Sequence, residues 1–450
     1  MSRVLLVGAG PLPGPGQRRI GFPQLRTASL AGALRAGGHE VALACLRWDE
    51  HGPPTDPGPH VSEARDIRAE RGTWIEDLRS FGHAWRPDAW VAAGPYAPPR
   101  AAALAVGDEP LWVDVPGDPF AEAQALAARL DPRGEPLPSP PGAAQTVAFA
   151  AALARGDAFS ACSEPQAHAL LGQLGLAGRL ARTRPTRRWV ELIPPAWDFG
   201  LPEGVPRRRA PQGPLCVALV GGFNAWFDDT TIAEGLLLAM DRGLPLQVVV
   251  VGGAIDGHFT AGWTRFVARV TASPHAARFD LRGWVPQGEL PAALASAHLL
   301  LSADLPGAEP TLGSRTRLLF GLHQGLELLA STGPELAAGL ATEGFLHPLT
   351  PGSEGLAEAL AARFEAGGDG ARVAEAQRVL RVRHAPAALG APLARWAQAP
   401  DRAPAGADRA ETLSARIAAL EAEIAAIRGS PTWRVLNRVH LLLRRLTGRR

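Results

Sequence analysis

The sequence predicts an α/β protein with two doubly wound parallel-sheet domains that face a cleft, followed by a helical C-terminal extension. Short apolar runs alternate with helical patterns, as expected for parallel strands that are covered by helices on both faces. The alternation stops in a Pro- and Arg-rich stretch at residues 204–213 and then starts again. A chain of 450 residues is long enough for two or three domains of this kind.

The first predicted domain covers residues 1–203 and opens with a β-loop-α-β pattern. Its strands are expected at residues 4–7, 40–46, 89–92, 111–115 and 159–162. Its helices are expected at residues 25–36, 121–130, 145–155 and 164–174. The strands are continuous apolar runs, which favours burial on both faces of a parallel sheet.

The second predicted domain covers residues 214–398 and repeats the same alternation. Its strands are expected at residues 215–220, 246–251, 279–285, 299–302, 326–331 and 345–349. Its helices are expected at residues 229–240, 287–297, 314–324, 334–342 and 354–365, followed by a return helix at 371–384.

The C-terminal extension follows a Pro- and Ala-rich linker at residues 399–410. Apolar residues step 4-3-4-3 along residues 411–429, a short heptad pattern that favours a homo-oligomer. Residues 430–450 contain six Arg and no acidic residue, interleaved with Trp, Val and Leu. Such a basic amphipathic tail suits an anionic membrane surface, and the alternatives are a partner helix or a solvated tail.

The composition bears on partners and location. Because the net charge is only +2 and the chain has no aromatic-basic platform, we expect no nucleic-acid partner. The three cysteines fit neither a metal site nor a disulfide framework, which indicates a reducing compartment. The sequence shows no signal peptide and no membrane-spanning run. We therefore expect a cytoplasmic protein, peripheral at most to the inner face of the plasma membrane, with no metal ion or cofactor.

The most informative stretch is DLPGAEPTLGSRTRLLFGLHQG at residues 304–325, which follows a predicted strand. Ligands bind at this edge of open α/β sheets. Ser314 is placed to cap the next helix and is a donor-binding candidate, and Arg315 and Arg317 fall in the first turn. Because cations there oppose the helix dipole, a bound diphosphate would account for them. Glu309 is a candidate for sugar hydroxyls, although a solvated arginine pair beside an ordinary loop glutamate is the alternative.

A second candidate stretch is VGGFNAWFDDTT at residues 220–231. Gly221 and Gly222 follow the first strand of the second domain, where glycine lets a backbone approach a phosphate closely. Trp226 either contacts a ligand or packs between the domains. Asp228 is a donor-site candidate or a cap of the following helix.

The N-terminal loop begins like a dinucleotide-binding fingerprint but does not complete it. Gly8 and Gly10 are present, whereas Pro13 stands where a third glycine is needed, so a nicotinamide cofactor is not expected. We expect this loop, including Gly14 and Gly16, to line the interdomain cleft.

Two aspartates follow the predicted strand at residues 111–115. Asp114 and Asp118 are candidates to face the donor or the acceptor. The alternative is that the Pro-Gly-Asp-Pro sequence only forms a turn.

Several stretches resemble GT-B-fold glycosyltransferases, specifically the large retaining glycosyltransferase family 4. They are RTASLAGALRAGGHEV (26–41), LWVDVPGDPFAEAQA (111–125), ARGDAFSACSEPQAHALLGQLGLAGR (154–179), GGFNAWFDDTTIAEGL (221–236), GWVP (283–286) and E-x5-RTRLL (309–319). The resemblance covers roughly residues 1–370. The tail sequence SPTWRVLNRV looks like C-terminal extensions of surface-polysaccharide glycosyltransferases.

The resemblance implies two Rossmann-like domains and transfer of a sugar from a nucleoside-diphosphate donor to a glycan or lipid-linked acceptor. It implies retention of anomeric configuration, a role in surface-polysaccharide biosynthesis and no metal ion. The nucleotide-sugar contacts that it implies are Gly221, Gly222, Trp226, Asp228, Glu309, Arg315 and Arg317, of which the last three are assigned to catalysis.

The chain departs from the family pattern at two positions. Phe320 stands where relatives usually carry an acidic residue that binds ribose, and Glu327 stands where they carry proline. These departures favour a second hypothesis, in which the chain is a non-catalytic sugar-binding scaffold that assembles with partners at a membrane.

Overall fold

The computed structural model describes residues 1–47, 56, 58–68, 73–94, 97–130, 143–180, 186–207, 213–255 and 259–403. Within these residues the chain forms two parallel α/β sheets, so the predicted fold class is confirmed. No helix in this part of the chain is long and apolar enough to cross a membrane. The predicted heptad and basic segments, 411–429 and 430–450, lie outside the described residues.

The first sheet is built from β1 (Arg3–Ala9), β2 (Glu40–Arg47), β3 (Glu63–Arg68), β4 (Ala89–Ala92), β5 (Leu111–Val115), β6 (Ala158–Ala161) and β7 (Val190–Leu192). Its order is β3-β2-β1-β4-β5-β6-β7, and the paired strands are parallel. The helices of this half are α1 (Phe22–Ala36), α2 (Trp74–Trp85), α3 (Ala97–Ala105), α4 (Pro119–Leu130), α5 (Ala143–Arg155) and α6 (Glu164–Leu176).

The second sheet is built from β8 (Leu215–Gly222), β9 (Leu246–Gly253), β10 (Phe279–Gly283), β11 (Leu299–Ser302), β12 (Glu327–Ala330) and β13 (His347–Pro348). Its order is β10-β9-β8-β11-β12-β13, again with parallel pairing. The helices of this half are α7 (Asp229–Asp241), α8 (Ala261–Thr271), α9 (Leu290–Ala293), α10 (Ala308–Leu312), α11 (Thr316–His323), α12 (Glu335–Thr342), α13 (Gly352–Ala366), α14 (Gly370–Arg383), α15 (Pro386–Leu389) and α16 (Ala391–Gln398).

The central strands of each sheet are buried on both faces because they are apolar at successive positions. In β1, Leu5 and Val7 pack into one core cluster, while Val4 and Leu6 pack into another on the opposite face. All four side chains are fully buried. Side chains alternate between the faces of a strand, so an uninterrupted apolar run is the pattern that a doubly covered sheet requires.

The last helices cross back to the first domain. α15 and α16 pack against α1, and the His39 Nε2 atom lies 2.9 Å from the Ala394 carbonyl oxygen. The Trp112 and Trp396 rings meet edge to face at 5.4 Å. The C-terminal end of predicted domain 214–398 therefore packs on the other half of the molecule.

Candidate functional site

The carboxyl edge of the second sheet carries two double glycines side by side. β8 ends in Gly221 and Gly222, β9 ends in Gly252 and Gly253, and the two pairs are in register. Gly221 and Gly252 have φ values of +94° and +122°, and a Cβ atom on Gly252 would lie 2.2 Å from the Gly221 carbonyl oxygen. Only glycine fits at position 252, because the backbone of the neighbouring strand fills the space of a side chain there. The space above Gly221 is bordered by the Arg317 guanidinium, 3.9 Å from a Cβ atom built on that glycine.

Arg315 is buried in a three-residue ionic cluster with Asp304 and Glu309. Its Nε atom donates to both Asp304 carboxylate oxygens at 3.0 Å, and its two terminal nitrogens donate to the Glu309 oxygens at 3.1 and 2.5 Å. Burial disfavours the charged guanidinium, but the two carboxylates outweigh this effect and raise the pKa of Arg315. Arg315 therefore stays protonated, and its guanidinium fork is used to orient Glu309.

The structure corrects two local predictions about this stretch. Arg315, not Ser314, is the N-cap residue of α11, with φ of −114° and ψ of 78°. The helix begins at Thr316, two residues after the predicted start at residue 314. Glu309 lies in the short helix α10 and is buried, rather than on an open loop. Asp304, which sequence reasoning did not single out, comes two residues after β11, and that position was the available signal.

The surroundings of the Arg317 side chain differ from those of Arg315, although only one residue separates the two arginines. The half-buried Arg317 donates from Nη2 to the Gly222 carbonyl oxygen at 3.0 Å, and its guanidinium lies 5.0 Å from the centre of the Phe227 ring. Among the described residues no carboxylate forms an ion pair with it. Burial lowers the pKa of Arg317 to about 10, and the Asp304 carboxylate offsets this only in part. Arg317 is thus a desolvated cation in the first turn of α11, where an anion is favoured.

Three hydroxyl groups at the end of β11 and the start of α11 are buried without a hydrogen-bond partner in the described chain. They are Ser302 Oγ at the end of β11, Ser314 Oγ and Thr316 Oγ1 on either side of the helix cap. Buried polar groups are normally hydrogen-bonded, so each one calls for an explanation. Their oxygens are enclosed by protein atoms, so none of the three hydroxyls faces open space in this structure.

The loop after β8 holds Trp226, a candidate for ligand contact, and two residues with structural roles, Phe227 and Asp228. Trp226 is half-buried, and its ring centre lies 6.0 Å from the Arg315 guanidinium. Phe227 is buried and packs on Phe223 at 4.6 Å. Asp228 caps α7, because its Oδ1 atom accepts a hydrogen bond from the Thr231 N–H at 3.0 Å. The capping role that the sequence offered as an alternative for Asp228 is thus present.

The N-terminal loop lies against the second domain. The Gly288 N–H donates to the Pro15 carbonyl at 2.9 Å, and the Gln287 N–H donates to the Gln17 carbonyl at 2.8 Å. Gly14 and Gly16 belong to this contact loop, on either side of Pro15. A Cβ atom at Gly16 would meet no atom within 4 Å, so this position borders open space.

Asp114 and Asp118 have their carboxylates occupied within the first domain. Asp114 is fully buried and pairs with Arg26. Asp118 is also buried and accepts hydrogen bonds from the Phe120 and Ala121 N–H groups at 3.0 and 2.8 Å, at the start of α4. Asp118 therefore caps the first turn of α4.

Of the two residues that depart from the family pattern, Phe320 lies three residues after Arg317 in α11, whereas Glu327 lies at the opposite end of the sheet. Phe320 is 8% exposed and packs edge to face on Phe199 at 5.4 Å, within a cluster that includes His323. Glu327 is the first residue of β12, so it sits at the amino end of the sheet, whereas the glycine edge is at the carboxyl end. Among the described residues no group of His, Cys, Asp and Glu is arranged to hold a metal ion.

No protein-family model matches the sequence, and no curated protein is significantly similar to it. Solved structures are similar over nearly the whole chain. The sucrose-phosphate synthase of Thermosynechococcus elongatus is 16% identical, with 95% of this chain and 100% of that chain covered and a TM-score of 0.59. Anabaena HepE, in complex with UDP and glucose, is 13% identical, with 88% and 99% covered and a TM-score of 0.59.

A third structure is the α,α-trehalose-phosphate synthase (UDP-forming) of Burkholderia xenovorans, in complex with glucose-6-phosphate. It is 12% identical, with 88% of this chain and 100% of that chain covered and a TM-score of 0.57. Similarity at such low identity establishes the architecture, in which two Rossmann-like domains face each other. The chain has the GT-B fold.

Proposed function

We propose that the chain is a retaining glycosyltransferase, similar to family 4, that transfers a sugar from a nucleoside-diphosphate donor to a glycan or lipid-linked acceptor in surface-polysaccharide assembly. The observation that carries this proposal is Arg317, a desolvated cation without an ion-pair partner among the described residues, beside Gly221 at the start of α11. A diphosphate supplies the missing negative charge. The complex of HepE with UDP and glucose, which has the same fold, supports this donor class.

We propose a different role for each of Arg315, Arg317 and Glu309. Arg317 and the helix N-terminus stabilise charge on the departing diphosphate without a metal ion. Glu309 accepts hydrogen bonds from donor sugar hydroxyls, and Arg315 holds it in place. The bond from the anomeric carbon to the phosphate breaks, the bond to the acceptor oxygen forms, and a phosphate oxygen takes the acceptor proton.

The other candidate residues are proposed to lie around Arg317 and Glu309. Trp226 and the backbone of Gly221 and Gly222 complete the donor side. The loop of Gly14 and Gly16 borders the acceptor side, because it is the part of the first domain that meets the second beside residues 286–288.

Nucleotide release tests the proposal directly. The purified chain is incubated with UDP-, GDP- and dTDP-sugars, and free nucleoside diphosphate is measured with and without lipid-linked glycans. Slow release from one donor, accelerated by an acceptor, is the expected result. Failure to bind any donor would contradict the proposed function.

A second candidate function is a sugar-binding scaffold without catalysis. Phe320 favours it, because an apolar side chain stands at a position that the family pattern gives to a ribose-binding acid. The scaffold predicts tight donor binding with no nucleotide release, even when lipid-linked glycans are added. The presence of Glu309, Arg315 and Arg317 opposes it, because all three residues that the family pattern assigns to catalysis are retained.

Glu327 is the second residue that differs from the family pattern. We expect its role to be structural and separate from ligand binding. Burial raises the pKa of Glu327, but the His347 ring, whose Nε2 atom lies 3.7 Å from Oε2, and the hydrogen bond from the Asp369 N–H lower it by more, so the net pKa is below its ordinary value. This stabilisation is present above the unfolded pKa and is lost as the pH falls through the folded value. Glu327→Gln is therefore expected to lower the free energy of unfolding at pH 7 by about 1–2 kcal/mol.

Urea denaturation at pH 7 and at about pH 3.5 measures the Glu327→Gln effect, which should shrink in acid. Nucleotide affinity should stay unchanged, because Glu327 lies at the opposite end of the sheet from Arg317. An equal loss of stability at both pH values, or a loss of nucleotide affinity, would refute this assignment.

The extension is proposed to place the enzyme at an anionic membrane, with residues 411–429 joining two copies of the chain. Both roles rest on the sequence pattern. Deletion of residues 430–450, which removes six Arg, should weaken binding to vesicles that contain anionic phospholipid and abolish its salt dependence. Sedimentation with vesicles of phosphatidylcholine alone is the control. Equal sedimentation of the full and shortened chains would rule out a membrane role for the tail.

A further inference from the structure

One buried carboxylate is shared by arginines from the two domains. Asp229, the first residue of α7, has a side chain that is 2% exposed. Arg265 on α8 donates to its Oδ2 and Oδ1 atoms, both at 3.1 Å. Arg129, in the last turn of α4 on the first domain, donates to the same Oδ1 atom. The Phe259 ring lies 5.3 Å from the Arg129 guanidinium and 5.6 Å from that of Arg265.

The charges in this cluster are unbalanced. Arg265 alone contacts both oxygens of Asp229, so Arg129 is a second cation on a carboxylate that already has a partner. Burial, and after it the like charge of Arg265, lowers the pKa of Arg129. If Arg129 withdraws into water, Asp229 keeps its ion pair. The contact between the domains can therefore break without leaving an unpaired charge in the interior, which would otherwise be strongly unfavourable.

The neighbouring interdomain contacts are also polar. Ser163 donates from Oγ to the Leu312 carbonyl at 3.0 Å, and the Glu164 N–H donates to Glu335 Oε2 at 2.7 Å. Both contacts join α6 to the second domain. Polar interfaces of this kind between domains permit relative motion.

We propose that Arg129 and Asp229 form a releasable latch that favours the closed arrangement of the two domains, and that Arg265 makes the latch releasable. This inference concerns domain motion and does not depend on which ligand binds. Arg265 keeps Asp229 paired in the open state, and Arg129 adds its ion pair only in the closed state. Interactions that differ between two states are what shifts an equilibrium between them.

The latch predicts opposite effects for its two arginines. Arg129→Ala removes the contact that exists only in the closed state, so the closed-to-open ratio should fall roughly 5-fold. Arg265→Ala removes the like charge that opposes Arg129 and leaves Arg129 as the remaining partner of Asp229, so the closed-to-open ratio should rise. High salt should lower the ratio in the parent protein and have less effect in Arg129→Ala.

Energy transfer between dyes attached at Ser80→Cys in α2 and Glu365→Cys in α13 measures the closed-to-open ratio of the two domains. Both positions are exposed, and all three native cysteines are buried, so labelling is selective. Arg242→Ala, which removes an exposed ion pair of α7 with Glu354, is the matched control and should change nothing. Thermal unfolding verifies that each variant is folded. An unchanged ratio in Arg129→Ala, or opening in a folded Arg265→Ala, would overturn the proposal.

Discussion

Arg317→Ala is expected to lower kcat/KM for the nucleotide-sugar donor by about 100-fold or more, because a preorganised charge in a desolvated site stabilises the leaving diphosphate. The same substitution should weaken binding of the free nucleoside diphosphate. Arg317→Lys should restore part of the affinity, since a point charge replaces the guanidinium but loses its fork geometry. Donor turnover and nucleotide binding by calorimetry measure the two effects.

A matched control distinguishes a local from a general effect of removing an arginine. Arg383→Ala removes an exposed cation that pairs with Glu343 on the surface of the second domain and should leave donor turnover unchanged. The proposed role of Arg317 would be wrong if Arg317→Ala and Arg383→Ala were equally active. It would also be wrong if Arg317→Ala lost stability in proportion to its loss of turnover.

Asp114→Ala is expected to lower the free energy of unfolding by about 3–5 kcal/mol, because it leaves the Arg26 guanidinium buried without its partner. The Arg26 and Asp114 side chains are 1% and 0% exposed and are joined by bonds of 2.9 and 2.6 Å. Burial disfavours the charge on Arg26, but Asp114 outweighs this and raises the pKa of Arg26. Urea denaturation measures the loss.

Two further variants test this interpretation. Ser160→Ala removes the hydroxyl that donates to Asp114 at 2.6 Å and should cost only about 1–2 kcal/mol. The double variant Arg26→Met/Asp114→Leu should be more stable than Asp114→Ala alone, because it removes both charges. If Asp114→Ala cost no more than Ser160→Ala, the ion pair would not be the main contributor.

Pattern reasoning succeeds where a strand or helix is defined by its own residues. β4, β5 and β11 are mainly apolar, and the structure has them at the predicted residues. β3 was missed, because this edge strand carries the sequence EARDIR and is half-exposed, so no apolar run marks it. α10 was taken for a loop, since five residues are too few to show a helical period.

The sequence by itself determined the two-sheet architecture and the edge at which the candidate site lies, because local periodicity dictates which elements form and strand ends dictate where their loops emerge. Only the tertiary structure decided which of the two arginines is available to bind an anion. Arg315 is neutralised by Asp304 and Glu309, whereas Arg317 meets the carbonyl of Gly222, 95 residues away in sequence. Ion pairing depends on distances between elements that fold together, and no local pattern encodes those distances.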